Sequence, residues 1–133
     1  MDKERVLEWF KYADMDLEAV EYLLTAHRKL NEIICYHCQQ SVEKYLKGYL
    51  VSQGVQAPPK IHDLTELCKL CADFDSKFDT IADKCGYLSD FSIQPRYPDG
   101  LDVDDHGRNL AVCYAKEIKE FLPLTKLRDY CNG

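Results

Sequence analysis

Hydrophobic residues recur along most of this chain at the three- and four-residue spacing of amphipathic helices, and no segment shows the alternation typical of a strand. Two long segments with this spacing come first, and they predict helices over about residues 3–27 and 31–53. Shorter helices are expected over about 63–74, 76–91 and 104–121. The pattern therefore predicts an all-α fold, an up-and-down antiparallel helical bundle of about five helices with two long N-terminal helices.

Residues at the ends of these segments support the predicted boundaries. Gly54 follows the second helix, where a left-handed C-terminal cap favours glycine. Asp63 precedes the third helix and Glu66 follows three residues later, which is the pattern of a capping box. The segment 92–104 contains two prolines and a glycine, and we expect it to be an irregular connection.

Several functional classes are excluded or disfavoured by composition. A chain of 133 residues with a net charge of −6 is poorly suited to sequence-independent duplex binding, which requires many phosphate contacts. No apolar run approaches the roughly 20 residues that span a bilayer, and the charged N-terminus lacks the apolar core of a signal peptide. We therefore expect a cytoplasmic protein with no membrane association, and a local basic site for any nucleotide or single RNA strand.

Polar residues of the first two predicted helices lie at positions that need an explanation. Asp16 falls on the apolar stripe of the first helix, where a carboxylate requires a cation or an amide from another helix. Within the second helix, Gln39 and Glu43 border the apolar stripe, whereas Lys44 and Lys47 are placed on the opposite face with His37 and Gln40. The simplest interpretation of that opposite face is a solvated surface, or a rim for a negatively charged partner.

Four of the seven cysteines form two C-x-x-C pairs, Cys35 with Cys38 and Cys68 with Cys71, which is formally a four-thiolate zinc set. However, 29 residues separate the pairs, and each pair lies on the apolar stripe of its own helix. Free cysteine behaves there as a small hydrophobic residue. We therefore expect core thiols, no metal and no cofactor.

Four sequence segments occur in order along the chain and are best considered together. They are Trp9 with Ala13-x-x-Asp16-Leu17, Gln39-Gln40-x-x-Glu43-Lys44 with Leu46-Lys47, His62-Asp63-Leu64, and Arg96-Tyr97-Pro98. In this order and spacing they resemble a HEPN domain (higher eukaryotes and prokaryotes nucleotide-binding). The resemblance covers about residues 6–122 and implies a single HEPN-like helical domain over 1–133.

The resemblance implies a homodimer that binds a nucleotide or single-stranded RNA and works beside a minimal nucleotidyltransferase, in a toxin–antitoxin-like pair. The nucleotide- or partner-binding residues that it implies are Gln40, Glu43, Lys44, Lys47, His62, Arg96 and Tyr97. Simpler roles remain open for some of them, because His62 precedes a helix cap and Tyr97 could pack within its loop.

A metal-independent endoribonuclease toxin is the alternative function. Family members with this activity carry an arginine and a histidine with four to six residues between them, near the start of the last long helix. The corresponding residues here are Arg96 and His106, with nine residues between them. In this alternative, His106 would transfer the proton and Arg96 would bind the phosphate. The other interpretations are an exposed, inactive His106 and an ion pair between Arg96 and Asp16.

Overall fold

The computed structural model describes residues 3–92 and 102–127, and none of these residues lies in a β-strand. Its α-helices are α1 (Lys3–Leu24), α2 (Asn31–Ser52), α3 (Leu64–Ala72), α4 (Ala82–Ser89) and α5 (Asp105–Phe121). Two 3₁₀ helices, Ser76–Ile81 and Leu122–Leu124, precede α4 and follow α5. The predicted all-α bundle with two long N-terminal helices is therefore confirmed. Among the described helices, none is both long enough and apolar enough to cross a bilayer.

Helices α1 and α2 pack against each other in antiparallel directions. Near the start of α1, the Arg5 guanidinium donates a hydrogen bond of 2.6 Å to the Gln56 carbonyl, just beyond the end of α2. In the middle of both helices, the Ser41 hydroxyl donates to the Ala13 carbonyl over 2.8 Å. Residue numbers therefore rise along one helix as they fall along the other, as the short connection between the two helices predicts.

Helix α2 is the central element of the bundle, because it packs against α1, α3, α4 and α5. Sixteen of its 22 residues are buried, which requires that more than one face be covered. The prediction of a solvated face on this helix is therefore wrong. Lys47 is buried, and Lys44 and His37 are half-buried against α1.

The predicted helix ends lie within two residues of the observed ends, except at the end of α1. Gly54 has a φ of +98°, in the left-handed region, and the Asp63 carboxylate caps α3 by accepting from the Thr65 amide. Helix α1 ends at Leu24, three residues earlier than predicted. The predicted fourth helix begins as a 3₁₀ helix, whose three-residue repeat brings Phe78 and Ile81 to the same buried side.

Candidate functional site

A cluster of polar side chains lies between α2 and the α2–α3 connection, and we call it the α2 polar cluster. Its members are Gln39, Gln40, Glu43, Lys47 and His62. The side chains of Glu43 and Lys47 are only 9% and 8% exposed, and the Lys47 ammonium donates to Glu43 Oε2 over 3.2 Å. The Gln39 amide donates to Glu43 Oε1 over 3.2 Å and accepts from Gln40 over 2.8 Å. Hydrogen bonds and an ion pair therefore compensate for the burial of these polar groups.

His62 connects this cluster to the surface. Its Nδ1 lies 3.0 Å and 3.2 Å from the two Glu43 carboxylate oxygens, and its carbonyl accepts from the Gln39 amide over 3.0 Å. The His62 side chain is nevertheless 69% exposed. When Nδ1 carries the proton towards Glu43, Nε2 is the nitrogen with a free lone pair, as in histidines that exchange protons with ligands.

Asp16 forms a second polar centre between α1 and α2. Its carboxylate is largely buried and receives the Lys44 ammonium at 2.5 Å and His37 Nδ1 at 3.0 Å. Burial alone raises the pKa of the Asp16 carboxyl. The hydrogen bonds and charges of His37 and Lys44 outweigh burial and hold this pKa below its ordinary value. Its position on the apolar stripe predicted such a partner from another helix.

The lowered pKa of Asp16 predicts a stability contribution that is lost in acid. A carboxyl whose pKa is lower in the folded state stabilises the fold fully above its unfolded pKa of about 3.9, and loses this contribution as pH falls through the lower folded pKa. Asp16→Asn should therefore lower the free energy of unfolding by about 1–2 kcal/mol at pH 7, and by much less near pH 2. Urea unfolding at both pH values measures this, with exposed Glu120→Gln as the control. An equal deficit at both pH values would contradict the prediction.

A cleft opens between α1 and α2 beside this centre, and we call it the α1–α2 cleft. It has a volume of about 320 Å³ and is lined by Arg5, Glu8, Trp9, Tyr12 and Lys44. Two aromatic rings and two cations therefore face one concave surface together with one carboxylate. Trp9 lies close to α2 because Gly48 has no side chain there, and a Cβ at Gly48 would lie 2.9 Å from the Trp9 Cβ.

The predicted binding residues are only partly brought together. Helical spacing places Gln40, Glu43, Lys44 and Lys47 on neighbouring positions of α2, and His62 joins them through Glu43. Of these residues, Lys44 lines the α1–α2 cleft, whereas Lys47 is buried against Glu43. Their binding roles stay predictions.

The nuclease alternative involves one described residue and one that is not described. His106 is exposed in the first turn of α5. Arg96 and Tyr97 lie outside the described residues, and the expected pair of Arg96 with Asp16 therefore stays a prediction. Within the described residues, the partners of Asp16 are Lys44 and His37.

The start of α5 is held by Asn31, which no pattern in the sequence indicated. Asn31 is buried, and its amide donates to the Val103 carbonyl over 3.1 Å and to Asp105 Oδ1 over 3.0 Å. The side-chain Oδ1 of Asn31 accepts from the Arg108 guanidinium over 3.1 Å. The Asp104 carboxylate then caps α5 by accepting from the backbone amide three residues later. No local sequence pattern could predict these contacts of Asn31, because Asn31 and Asp105 are 74 residues apart in the chain.

The two cysteine pairs occupy separate parts of the bundle. The Cys71 thiol lies 3.6 Å from the Leu46 carbonyl, and Leu46 is eleven residues, or about 16 Å along the helix, from Cys35. Burial raises the pKa of Cys35 to about 12, which favours the neutral thiol over the thiolate that metals bind. Among the described residues, no group of three or more His, Cys, Asp and Glu side chains could hold a metal ion.

Comparisons with known proteins agree with this architecture. The family model described as HEPN domain matches residues 6–126. No curated protein matches the sequence. Among solved structures, the chain is similar to one described as the crystal structure of TT1696 from Thermus thermophilus, with a TM-score of 0.69 over 88% of this chain and 94% of that chain. The two sequences are 22% identical, so this similarity concerns the fold alone.

Proposed function

Because the chain belongs to the HEPN domain family, we propose that it is a nucleotide-binding module whose ligand occupies the α1–α2 cleft. The observation that carries this proposal is the composition of the cleft, in which Trp9 and Tyr12 face the same space as Arg5 and Lys44. A nucleotide consists of an aromatic base and an anionic phosphate, and this combination of side chains is complementary to both. The proposed ligand is a mononucleotide or one nucleotide of a single RNA strand.

The aromatic residues support recognition of a base. Stacking of a base on an aromatic side chain contributes about 1–3 kcal/mol in single-strand binding proteins and tolerates different bases. Tyr12 is about half exposed and Trp9 is partly buried, so each can present a ring to a ligand while the helix stays packed. A volume of about 320 Å³ is at the lower end of the range for small-molecule sites, which favours one nucleotide over a longer bound segment.

The charged residues support recognition of a phosphate. The Lys44 ammonium has three donors, and one of them is directed at Asp16, so that the aspartate fixes the lysine beside the cleft. Glu8 lines the same cleft, and its carboxylate can accept from a base amine or a ribose hydroxyl. The same carboxylate repels additional phosphates, and we therefore expect a nucleoside monophosphate to bind more tightly than a triphosphate.

Fluorescence of Trp9 tests the proposal directly, because Trp9 is the only tryptophan of the chain. Titration with adenosine monophosphate, uridine monophosphate and a short oligouridylate should change its emission saturably. Lys44→Gln should weaken binding about 10- to 100-fold, since a hydrogen bond to a charged group contributes about 1.5–3 kcal/mol. Lys69→Gln, at an exposed lysine on α3, is the matched control and should bind as the wild type does.

Two results would count against this function. Absence of a saturable change with every ligand up to millimolar concentration would overturn the nucleotide site, provided that circular dichroism shows a folded protein. Cleavage of the oligouridylate that is lost in His106→Ala would favour the endoribonuclease alternative instead.

The proposal also includes a homodimer that works with a minimal nucleotidyltransferase, in a toxin–antitoxin-like pair. The support for this part is the resemblance of the Gln39–Lys47 segment and of Arg96-Tyr97-Pro98 to the corresponding HEPN segments. Joint elution with a co-expressed nucleotidyltransferase encoded beside this chain is the expected result, and separate elution at micromolar concentrations would contradict it.

A further inference from the structure

Helix α1 carries most of the exposed large hydrophobic side chains among the described residues. Among the described residues, six large hydrophobic side chains are exposed, and five of them belong to α1. They are Leu7, Tyr12, Met15, Tyr22 and Leu24, with exposed fractions between 36% and 72%. Ala13, Leu17 and Val20 belong to the buried face of α1, and Leu24 follows Val20 by four residues on that same side. Tyr12, Met15 and Tyr22 fall instead on a second stripe, which has no partner helix within the described bundle.

The spacing of these side chains is that of a helix–helix seam. Tyr12, Met15, Ala19 and Tyr22 follow one another at intervals of three, four and three residues. This is the alternation of a and d positions in a heptad repeat, which keeps one narrow stripe directed at a second helix. Tyr12 and Ala19 take the a positions, and Met15 and Tyr22 take the d positions.

Two opposite charges border this seam on one side. Lys11 and Glu18 both occupy the position that precedes an a residue, one heptad apart. Within the described part of the chain, neither of them has an ion pair or a hydrogen bond to another side chain. The other acidic residues of the second half of α1 are satisfied by their own chain, since Asp14 lies 3.3 Å from the Lys119 ammonium and Glu21 lies 2.6 Å from the Lys116 ammonium.

We propose that this face of α1 binds the same face of a second copy of the chain in an antiparallel arrangement. Tyr12 then packs against Met15 of the partner subunit, and Lys11 pairs with Glu18 of the partner subunit. A two-fold axis repeats each contact, so one sequence supplies two apolar pairs and two ion pairs. This inference rests on the homodimer of the proposed function and names the surface that forms it.

The charges determine the direction of the two helices. In a parallel pair of helices, a residue that directly precedes an a position lies near the partner residue whose number is five higher. Lys11 would then meet Asp16, which Lys44 and His37 already hold, and Glu18 would meet an uncharged leucine. In the antiparallel pair the lysine meets the glutamate, and the small side chain of Ala19 lies opposite Glu8, which leaves room for the longer carboxylate.

The expected dimer is one that dissociates on dilution. Helix overlap from residue 5 to residue 22 extends over about 27 Å at 1.5 Å per residue. A single pair of helices of this length buries less than the ~1,200–2,000 Å² of a standard stable interface. Because Tyr12 also lines the α1–α2 cleft, the partner subunit's Met15 would border that cleft, so the dimer would complete its outer edge.

Charge reversal in sedimentation velocity experiments tests the arrangement. Lys11→Glu and Glu18→Lys should each weaken dimerisation about tenfold, because each creates two like-charge pairs. The double variant Lys11→Glu/Glu18→Lys should restore wild-type dimerisation, since each ion pair is then formed again with its two charges exchanged. Leu124→Glu, at an exposed apolar residue outside α1, is the control and should have no effect.

The outcomes separate this surface from the wider proposal. A dimer that responds to neither charge reversal nor Met15→Glu would overturn the α1 face and leave the homodimer standing. A chain that is monomeric up to several hundred micromolar would overturn both. If the double variant dimerises as weakly as the two single variants, the antiparallel pairing is wrong. Nucleotide binding is read from Trp9 emission in the same variants, and neither Lys11 nor Glu18 lines the α1–α2 cleft. A change in nucleotide binding on charge reversal is therefore assigned to loss of the dimer, whose seam shares Tyr12 with the cleft.

Discussion

Glu43→Gln is expected to lower the free energy of unfolding by about 3 kcal/mol, because it leaves the buried Lys47 ammonium without a counter-charge. Both side chains are less than one-tenth exposed, so solvent does not replace the lost partner. The substitution also weakens the acceptor of the Gln39 amide and of His62 Nδ1. Urea unfolding followed by circular dichroism measures the loss.

The matched control for this experiment is Glu66→Gln, which removes an exposed carboxylate from α3 and should change stability by less than about 0.5 kcal/mol. A double variant, Glu43→Gln/Lys47→Met, removes both buried charges and should recover most of the lost stability. If Glu43→Gln is no more destabilising than Glu66→Gln, the α2 polar cluster does not contribute to stability in the way that its burial indicates.

Gly48→Ala is expected to destabilise the fold by about 2 kcal/mol, although alanine is the better helix former. The added Cβ would lie 2.7 Å from Phe10 Cε1 and 2.9 Å from the Trp9 Cβ. The Phe10 ring is the far end of a side chain and can rotate, but the Trp9 Cβ moves only with the backbone of α1. The substitution must therefore displace α1 from α2 and change the environment of the single tryptophan.

A second helical glycine provides the control. A Cβ at Gly86, in α4, would lie 3.6 Å from the Thr65 hydroxyl, which is an ordinary contact. Gly86→Ala should therefore stabilise the protein by about 0.5–1 kcal/mol, the usual gain on replacing glycine within a helix. Thermal unfolding of the two variants should move in opposite directions, and a shift in Trp9 emission is expected for Gly48→Ala alone. Stabilisation by both substitutions would show that α1 adjusts without a penalty.

The helices are predictable from sequence because their boundaries depend on local chemistry. The carboxylates of Asp63 and Asp104 lie directly before α3 and α5, and each accepts from an amide of the first turn. Gly54 adopts a conformation that other residues rarely take. Such signals act over a few residues, and the order of the helices then restricts the bundle to a small number of arrangements.

The environment of Lys47 could not be predicted in the same way. Periodicity places a residue on a face of its helix, but it does not show what covers that face. The α2–α3 connection returns to α2 through His62, which contacts Glu43 from 19 residues along the chain. A face that resembles a solvated surface in a helical projection is therefore partly buried in the fold.

The α1–α2 cleft is not predictable from sequence for a related reason. Periodicity assigns Trp9 to an apolar stripe and Lys44 to a polar face, and neither assignment indicates that they line one cavity. Arg5 and Tyr12 belong to neither pattern. Their position in the site depends on the close approach of α1 and α2 at Gly48, which is a property of the packed pair of helices.

The contacts of Asn31 have a consequence for how this chain can vary in length. Asn31 fixes the start of α5 through the Val103 carbonyl, Asp105 and Arg108, all of which follow the segment 93–101 in the chain. The position of α5 therefore depends on contacts made after that segment. Insertions and deletions before Val103 are then compatible with an unchanged α5, so evolution can alter the number of residues between Arg96 and His106 without rebuilding the bundle.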